Sequence, residues 1–326
     1  MQRRKLTDDF TTSAIGLGCM GMSEFYGPRD DSRALRVLHE AADLGIDFLD
    51  TADTYGPLHN EELIGRFLAE TRAPMQVATK FGIARNPGEY RRRIDNSPDY
   101  ARRAVEGSLK RLGVERIDLY YIHRIDPARG IEEVMATLSR LVEEGKIARI
   151  GLCEVSAATL RRAHALHPVT AVQSEYSLWS REVEAEVLPT CRALGVGFVP
   201  YAPLGRGFLA GRFQDTSFAP GDFRASLPRF QPEALDANRR ISAAIAAIAA
   251  TKGCTSAQLA LAWLLAQGED IVPIPGTVRL NYLRDNAAAT AITLSADDLA
   301  AISRALADLP VSGARYTEEG MKGIDA

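Results

Sequence analysis

Cysteine is scarce in this chain: 326 residues carry four, Cys19, Cys153, Cys191 and Cys254. They lie far apart and form neither a CxxC pair nor a Cys/His metal spacing, so metal-cluster and disulfide-scaffold readings fall away. Free thiols in a reducing cytoplasm are the expectation, with no metal. No window approaches the roughly 20 apolar residues of a membrane span. The Ala-rich stretch Ile241–Ala250 runs straight into Thr251-Lys252-Gly253. The basic N-terminus has no apolar core behind it, unlike a secretory signal. Neither sign of charge dominates, with 39 Lys and Arg against 42 Asp and Glu. A net charge of −3 argues against nucleic-acid or anionic-membrane binding. The densest basic run, Arg91-Arg92-Arg93, is followed by Asp95 and Asp99 and reads as a solvated loop. Lysine is rare, with 6 residues beside 33 arginines.

What the chain has is a repeat of short apolar runs and longer amphipathic ones, in a composition that is 46% hydrophobic and 25% charged. Strands are expected at Ala14–Gly18, Phe48–Asp50, Val77–Lys80, Ile117–Ile122, Ile147–Leu152, Ala171–Glu175, Val196–Pro200 and Ile271–Ile274. The helices between them are expected at Asp31–Leu44, from Asn60 to about Ala69, Pro98–Leu112, Ile131–Glu144, Ala157–His167 and Arg181–Leu194. Further helices follow at Asp236–Thr251, Ser256–Ala266, Tyr282–Ala287 and Ala296–Leu309. Gly45, Gly113, Gly145 and Gly195 sit where helix C-caps belong. Eight strand–helix units with apolar strands predict an α/β fold, a (β/α)8 TIM barrel with extra helices and long βα loops at its C-terminal face. With no interdomain linker, residues 1–326 are expected to form one domain.

Gly16-Leu17-Gly18-Cys19-Met20-Gly21 matches GxGxxG as a string. The next helix begins only near Asp31, so the pyrophosphate-on-helix geometry of a Rossmann site is not available. A loop whose backbone approaches a ligand closely is the alternative.

Active sites of such barrels are built at the C-terminal ends of the strands. Polar residues there are Asp50, with Tyr55 just beyond, Lys80, His123, Gln173 and Tyr201. Taken singly, Lys80 reads as a rim lysine, Asp50 as a loop cap, His123 as a structural hydrogen-bonder and Tyr55 as packing. Together they make a chemical constellation. An ammonium beside a phenol lowers the phenol's pKa, and a carboxylate keeps that ammonium charged. An imidazole can orient a carbonyl oxygen and stabilise charge developing on it. The set suits protonation of a carbonyl oxygen while a cofactor delivers hydride to carbon.

These residues resemble the aldo-keto reductase superfamily, in particular bacterial and plant members that open with a Gly-Cys-Met-Gly-Met-Ser segment. Here that segment is Gly18-Cys19-Met20-Gly21-Met22-Ser23. Asp50-Thr51-Ala52-Asp53-Thr54-Tyr55-Gly56, Asn60-Glu61-Glu62-Leu63-Ile64-Gly65, Ala78-Thr79-Lys80 and Tyr121-Ile122-His123-Arg124-Ile125-Asp126 are similar to the family's segments in register. The resemblance runs from about Ser13 to Tyr316. It implies an NADPH-dependent reduction of aldehydes and ketones, with Tyr55 as general acid/base, Lys80 and Asp50 tuning it, and His123 orienting the carbonyl. It further implies that Gln173 holds the nicotinamide carboxamide, Tyr201 stacks on the ring, and Pro203-Leu204-Gly205-Arg206-Gly207 wraps the pyrophosphate. Gly18, Cys19, Met20 and Glu154 are further cofactor positions by the same resemblance. Gly276, Thr277, Arg279, Asp285 and Asn286 belong to the adenosine end, and Arg279 is the natural partner of a 2′-phosphate. Two departures stand out. Cys153-Glu154 replaces a Ser-Asn or Ser-Glu pair, and Gly276-Thr277 stands where many relatives carry Lys-Ser.

Substrate selectivity is expected from the long loops Phe81–Asp99, Arg124–Gly130 and Phe208–Asp236, with Met20, Tyr26, Phe81 and Trp179 as pocket candidates. An apolar, aromatic mouth would favour aldehydes and hydrophobic ketones over polyanions. Two other readings stand beside the reductase: a catalytically slow nicotinamide-binding regulatory protein of the same fold, and a lyase using Lys80 as a Schiff-base nucleophile. Monomer and small homo-oligomer are both compatible with the sequence.

Overall fold

Side chains along a strand alternate between its two faces, so a closed parallel sheet sorts each strand into one set of residues facing the interior and one facing the surrounding helices. The computed structural model, which describes residues 1–86, 89, 91–213 and 218–325, shows that sorting strand by strand. Parts of two of the long loops, residues 87, 88, 90 and 214–217, lie outside the described residues.

An antiparallel hairpin, β1 (Arg3–Thr7) and β2 (Phe10–Ser13), comes first. It is followed by β3 (Leu17–Gly18), α1 (Asp31–Asp43), β4 (Phe48–Asp50), α2 (His59–Glu70) and β5 (Gln76–Phe81). A short ribbon of β6 (Ile83–Ala84) and β7 (Arg93–Ile94) interrupts the cycle. The cycle resumes with α3 (Pro98–Leu112), β8 (Leu119–Ile122), α4 (Ile131–Glu143), β9 (Ile150–Cys153) and α5 (Ala157–Leu166). Next come β10 (Val169–Glu175), α6 (Val187–Leu194), β11 (Gly197–Tyr201), α7 (Pro232–Thr251), α8 (Ser256–Leu265), α9 (Leu280–Ala288), α10 (Ala296–Leu306) and α11 (Glu318–Met321).

Seven strands pair in parallel in the order β11-β10-β9-β8-β5-β4-β3. The eighth expected strand, Ile271–Ile274, takes the closing position without becoming a regular strand. It bridges Phe198 through Ile271, Ile274 donates to the Pro200 carbonyl, and Gly16 donates to the Pro273 carbonyl at 3.0 Å. Pro273 has no N–H to give, which breaks the ladder there. Close approach seals the seam: a Cβ on Gly18 would lie 2.7 Å from the Ile274 carbonyl oxygen. The barrel is therefore nearly closed.

The helix α3 occupies the residues its sequence predicts. Ser97 caps it by accepting from the Tyr100 N–H, Pro98 opens its first turn, and Gly113 ends it in the left-handed region at φ 68°. Arg181–Leu194, expected as one helix, is a 3-10 turn at Glu182–Glu184 followed by α6. Pro189 explains the break, because a proline fits the first turn of α6 but not the middle of a longer helix. The hairpin β1–β2 was not anticipated. Its Leu6 and Phe10 plug the bottom of the barrel against Phe48, Leu119, Val199 and Val272. Among the described residues no single helix is long and apolar enough to cross a membrane.

Candidate active site

Phe48, Ala78, Tyr121, Ala171 and Val199 point into the barrel. Two residues further on, on the same face, stand Asp50, Lys80, His123, Gln173 and Tyr201. Strand periodicity alone thus stacks these five groups around one axis at the C-terminal ends. Tyr55 joins them from the β4–α2 loop. Asn60 fixes that loop: its N–H donates to the Tyr55 carbonyl, and its side-chain amide donates to the Cys19 carbonyl at 2.9 Å and the Ser23 hydroxyl at 2.7 Å. The Thr51 hydroxyl donates to Asn60 Oδ1.

Lys80 is completely buried. Its Nζ donates to Asp50 Oδ1 at 2.5 Å, the Thr51 carbonyl at 2.7 Å and Tyr55 Oη at 3.3 Å. The second Asp50 oxygen accepts from Gln173 Nε2 at 2.7 Å. Burial disfavours the Lys80 ammonium, but Asp50 and Tyr55 outweigh it and raise the pKa, so the lysine stays charged. A Schiff-base nucleophile needs the opposite shift, which counts against the lyase reading. For Tyr55 the sign differs from the sequence expectation. Burial pushes its pKa up by more than Lys80 pulls it down, so in the free protein the hydroxyl is firmly a phenol. The His123 ring meets the Tyr55 ring edge-on at 5.7 Å. Burial, together with Lys80, Arg124 and other nearby arginines, holds its pKa well below the usual value, so the imidazole is neutral. Nδ1 of His123 is buried with no hydrogen-bond partner among the described residues. Unpaired buried N–H groups are rarer than unpaired acceptors, which favours the tautomer with its proton on Nε2, the nitrogen left for a ligand.

A cavity of about 690 Å³ runs from Asp50, Tyr55 and His123 past Cys153, Gln173 and Tyr201 to Gly276, Thr277, Arg279, Asp285 and Asn286. Gly18, Met20, Pro203, Leu204, Arg206 and Gly207 line it as well. Burial pushes the Cys153 thiol up to about 12, so it is a neutral neighbour there. Cys19 and Gly205 are buried and do not line the cavity. Glu154 also turns away from it. Both its oxygens accept from Arg315, at 3.2 and 2.8 Å, and Oε1 accepts the Glu175 N–H. Arg206 lines the cavity but gives Nη2 to the buried Glu175 at 2.9 Å and lies over the Tyr316 ring. Glu154, Arg206, Phe25, Leu58 and Ala202 all have positive φ and all lie in loops at this end of the barrel. Such conformations typically cost about 1–3 kcal/mol each and persist only where surrounding contacts hold them.

At the far end, Arg212 lies 3.6 Å from the centre of the Tyr282 ring and Arg279 lies 5.5 Å from it. Among the described residues no carboxylate is within ion-pair distance of either guanidinium. Arg212 and Tyr282 were missed in the sequence, where a lone arginine and a lone tyrosine carry no signal. Asp285 accepts from the Thr255 hydroxyl at 2.9 Å, and Asn286 is buried beside it.

The model of the Aldo/keto reductase family matches residues 14–307. The chain belongs to the aldo/keto reductase family. A probable aldo-keto reductase 1 from Glycine max is 48% identical over 312 residues, which is 95% of this chain and 90% of that protein. Among solved structures, a glycerol dehydrogenase from Gluconobacter oxydans superposes with a TM-score of 0.87 at 29% identity, covering 94% of this chain and 95% of that one. A thermostable aldo-keto reductase in complex with the inhibitor epalrestat gives 0.74 at 28% identity, covering 94% and 100%. The protein is thus an oxidoreductase of a family that uses a nicotinamide cofactor and acts on small carbonyl compounds.

In this aldo/keto reductase the substrate mouth is lined by apolar and aromatic side chains, as expected, but not by all the residues expected. Met20 and Tyr26 line the cavity, but Phe81 and Trp179 do not. Phe81 stacks on Tyr120 at 5.2 Å on the outer face of the sheet, and Trp179 packs on Phe208 at 5.0 Å. Arg85, Arg92, Arg124 and Arg224 line it as well. Nor is the basic run 91–93 simply solvated, since Arg92 is half-buried and donates to the Glu319 and Gly320 carbonyls of the C-terminal tail.

Proposed function

We propose that the protein is an NADPH-dependent carbonyl reductase of the cytoplasm, turning aldehydes and ketones into alcohols. The observation that carries this reading is the chain Asp50–Lys80–Tyr55, which ends in a phenol at the cavity wall beside the edge of a neutral His123. Hydride for the carbonyl carbon would come from the reduced nicotinamide. The residues fit that cofactor. Gln173, with its amide nitrogen committed to Asp50, keeps its amide oxygen for the carboxamide. Tyr201 supplies a flat face, fixed by a hydrogen bond from the Tyr316 hydroxyl at 2.9 Å. Arg212 and Arg279, without carboxylate partners among the described residues, suit a phosphate on the adenosine ribose, which favours NADPH over NADH.

The protein's own groups then divide the work. His123 Nε2–H donates to the substrate carbonyl oxygen and fixes its direction. Tyr55 gives its proton to that oxygen as charge develops there. The fixed Lys80 ammonium stabilises the phenolate left behind, and Asp50 holds the ammonium in place. A panel of aldehydes and ketones assayed for NADPH oxidation, with NADH in parallel, tests the reading. Turnover with NADPH preferred is the expected result. Tight NADPH binding without turnover on any carbonyl would overturn it in favour of a nicotinamide-binding regulatory protein. Monomer and small homo-oligomer are equally compatible with this mechanism.

A further inference from the structure

The arginines at the substrate end of the cavity are not equivalent. Arg85 pairs with Glu24, Arg206 with Glu175 and Arg224 with Asp222. Arg124 directly follows His123, is only 5% exposed and lines the same cavity as Tyr55 and His123. Its Nη1 donates to the His123 carbonyl at 2.8 Å and its Nε is enclosed, without a hydrogen-bond partner among the described residues, which leaves Nη2 as the nitrogen for a ligand. Among the described residues no carboxylate lies within ion-pair distance of it. Tyr201 and then Glu154 favour its charge, but the Glu154 carboxylate is already held by two nitrogens of Arg315. A buried charge without a counter-charge is costly, and a guanidinium N–H makes a strong, charge-assisted hydrogen bond to a carboxylate oxygen.

We propose that Arg124 selects carbonyl substrates that carry a carboxylate, the substrate itself supplying the missing counter-charge. This deepens the reductase reading and rests on it. It adds a charged anchor to a mouth that is otherwise largely apolar. The guanidinium binds the carboxylate, and through its bond to the His123 carbonyl this contact is anchored to the residue that orients the carbonyl being reduced.

The test compares kcat/KM for ortho-, meta- and para-carboxybenzaldehyde with that for the matching neutral formylbenzamides. In the wild-type enzyme at least one carboxylate isomer is expected to be preferred by about tenfold or more, mostly through KM, with the preference shrinking as salt is raised. In Arg124→Met the ratio of acid to amide should fall to about one, whatever the absolute rates, and Arg124→Lys should keep part of it. Equal use of acids and amides by the wild-type enzyme would overturn the proposal and leave the reductase reading standing. So would a preference that survives Arg124→Met. If neither acids nor amides are reduced, the reductase reading and this proposal fall together. Should Arg124→Met not fold, the wild-type ratio and the Lys variant decide.

Discussion

The two ends of the cavity are built on different electrostatic plans. At the Tyr55 end, Lys80 is enclosed, and its ammonium, the Asp50 carboxylate, the Gln173 amide and the Tyr55 phenol satisfy one another before anything binds. At the far end, Arg212 and Arg279 lie against one aromatic ring, and among the described residues neither has a carboxylate within ion-pair distance. Partial burial lowers the Arg212 pKa, and the neighbouring charges of Arg279 and Arg224 lower it further. The first arrangement is preorganised, so it pays its desolvation cost on folding. The second leaves a positive field that only an incoming anion relieves. Chemistry and cofactor affinity should therefore be separable by mutation.

The largest effect is expected at the preorganised end. Lys80→Met leaves Asp50 buried without its cation, and breaking such a pair typically costs about 3–5 kcal/mol. Urea denaturation should show a loss of that order. Turnover should fall by about 10²–10⁴-fold, the usual contribution of a positioned acid and its support. The replacement of Arg212 and Arg279 together by Gln should act differently. NADPH affinity, read by quenching of protein fluorescence, should drop by about 10- to 100-fold while NADH affinity barely changes. Equal losses for both cofactors would mean that these arginines do not read the phosphate.

The pH profile sharpens the same contrast. Reduction needs Tyr55 as a phenol, and its raised pKa keeps it protonated above the ordinary tyrosine range. It also needs a neutral His123, whose depressed pKa keeps it neutral below the ordinary histidine value. Profiles of kcat/KM for reduction should therefore be flat from about pH 6 to 9. An inflection at about pH 6.5 would show that His123 titrates as an ordinary histidine, and one at about pH 10 would show the same of Tyr55. The smallest effect is expected at Thr255, which bonds Asp285 and caps α8 through a capping box. Thr255→Val should lower stability by about 1 kcal/mol in urea and leave turnover at saturating cofactor nearly unchanged.

Much of this arrangement was legible in the sequence because period-2 alternation is a local property. Asp50, Lys80, His123, Gln173 and Tyr201 each lie two residues beyond an inward-facing neighbour, and α3 carries its start and stop signals in Ser97, Pro98 and Gly113. The same parity argument, pressed further, would have placed Phe81 correctly: if Lys80 faces inward, Phe81 must face the helices. Other features depend on contacts remote in sequence. The hairpin at Arg3–Ser13 gains its role only by plugging the closed barrel, and Glu154 looks like a cofactor ligand until Arg315, 161 residues away, takes both its oxygens. The sign of the Tyr55 shift was likewise out of reach. It depends on how much burial competes with Lys80, and proximity in a motif says nothing about burial.

The separation of chemistry from cofactor binding is tested most directly at the phenol itself. NADPH affinity and aldehyde-dependent turnover should be measured side by side in wild type and Tyr55→Phe. The account predicts an affinity within about threefold of wild type and turnover lower by about 10²–10⁴-fold. Turnover close to wild type, with NADPH bound as tightly, would contradict it and remove Tyr55 as the proton donor.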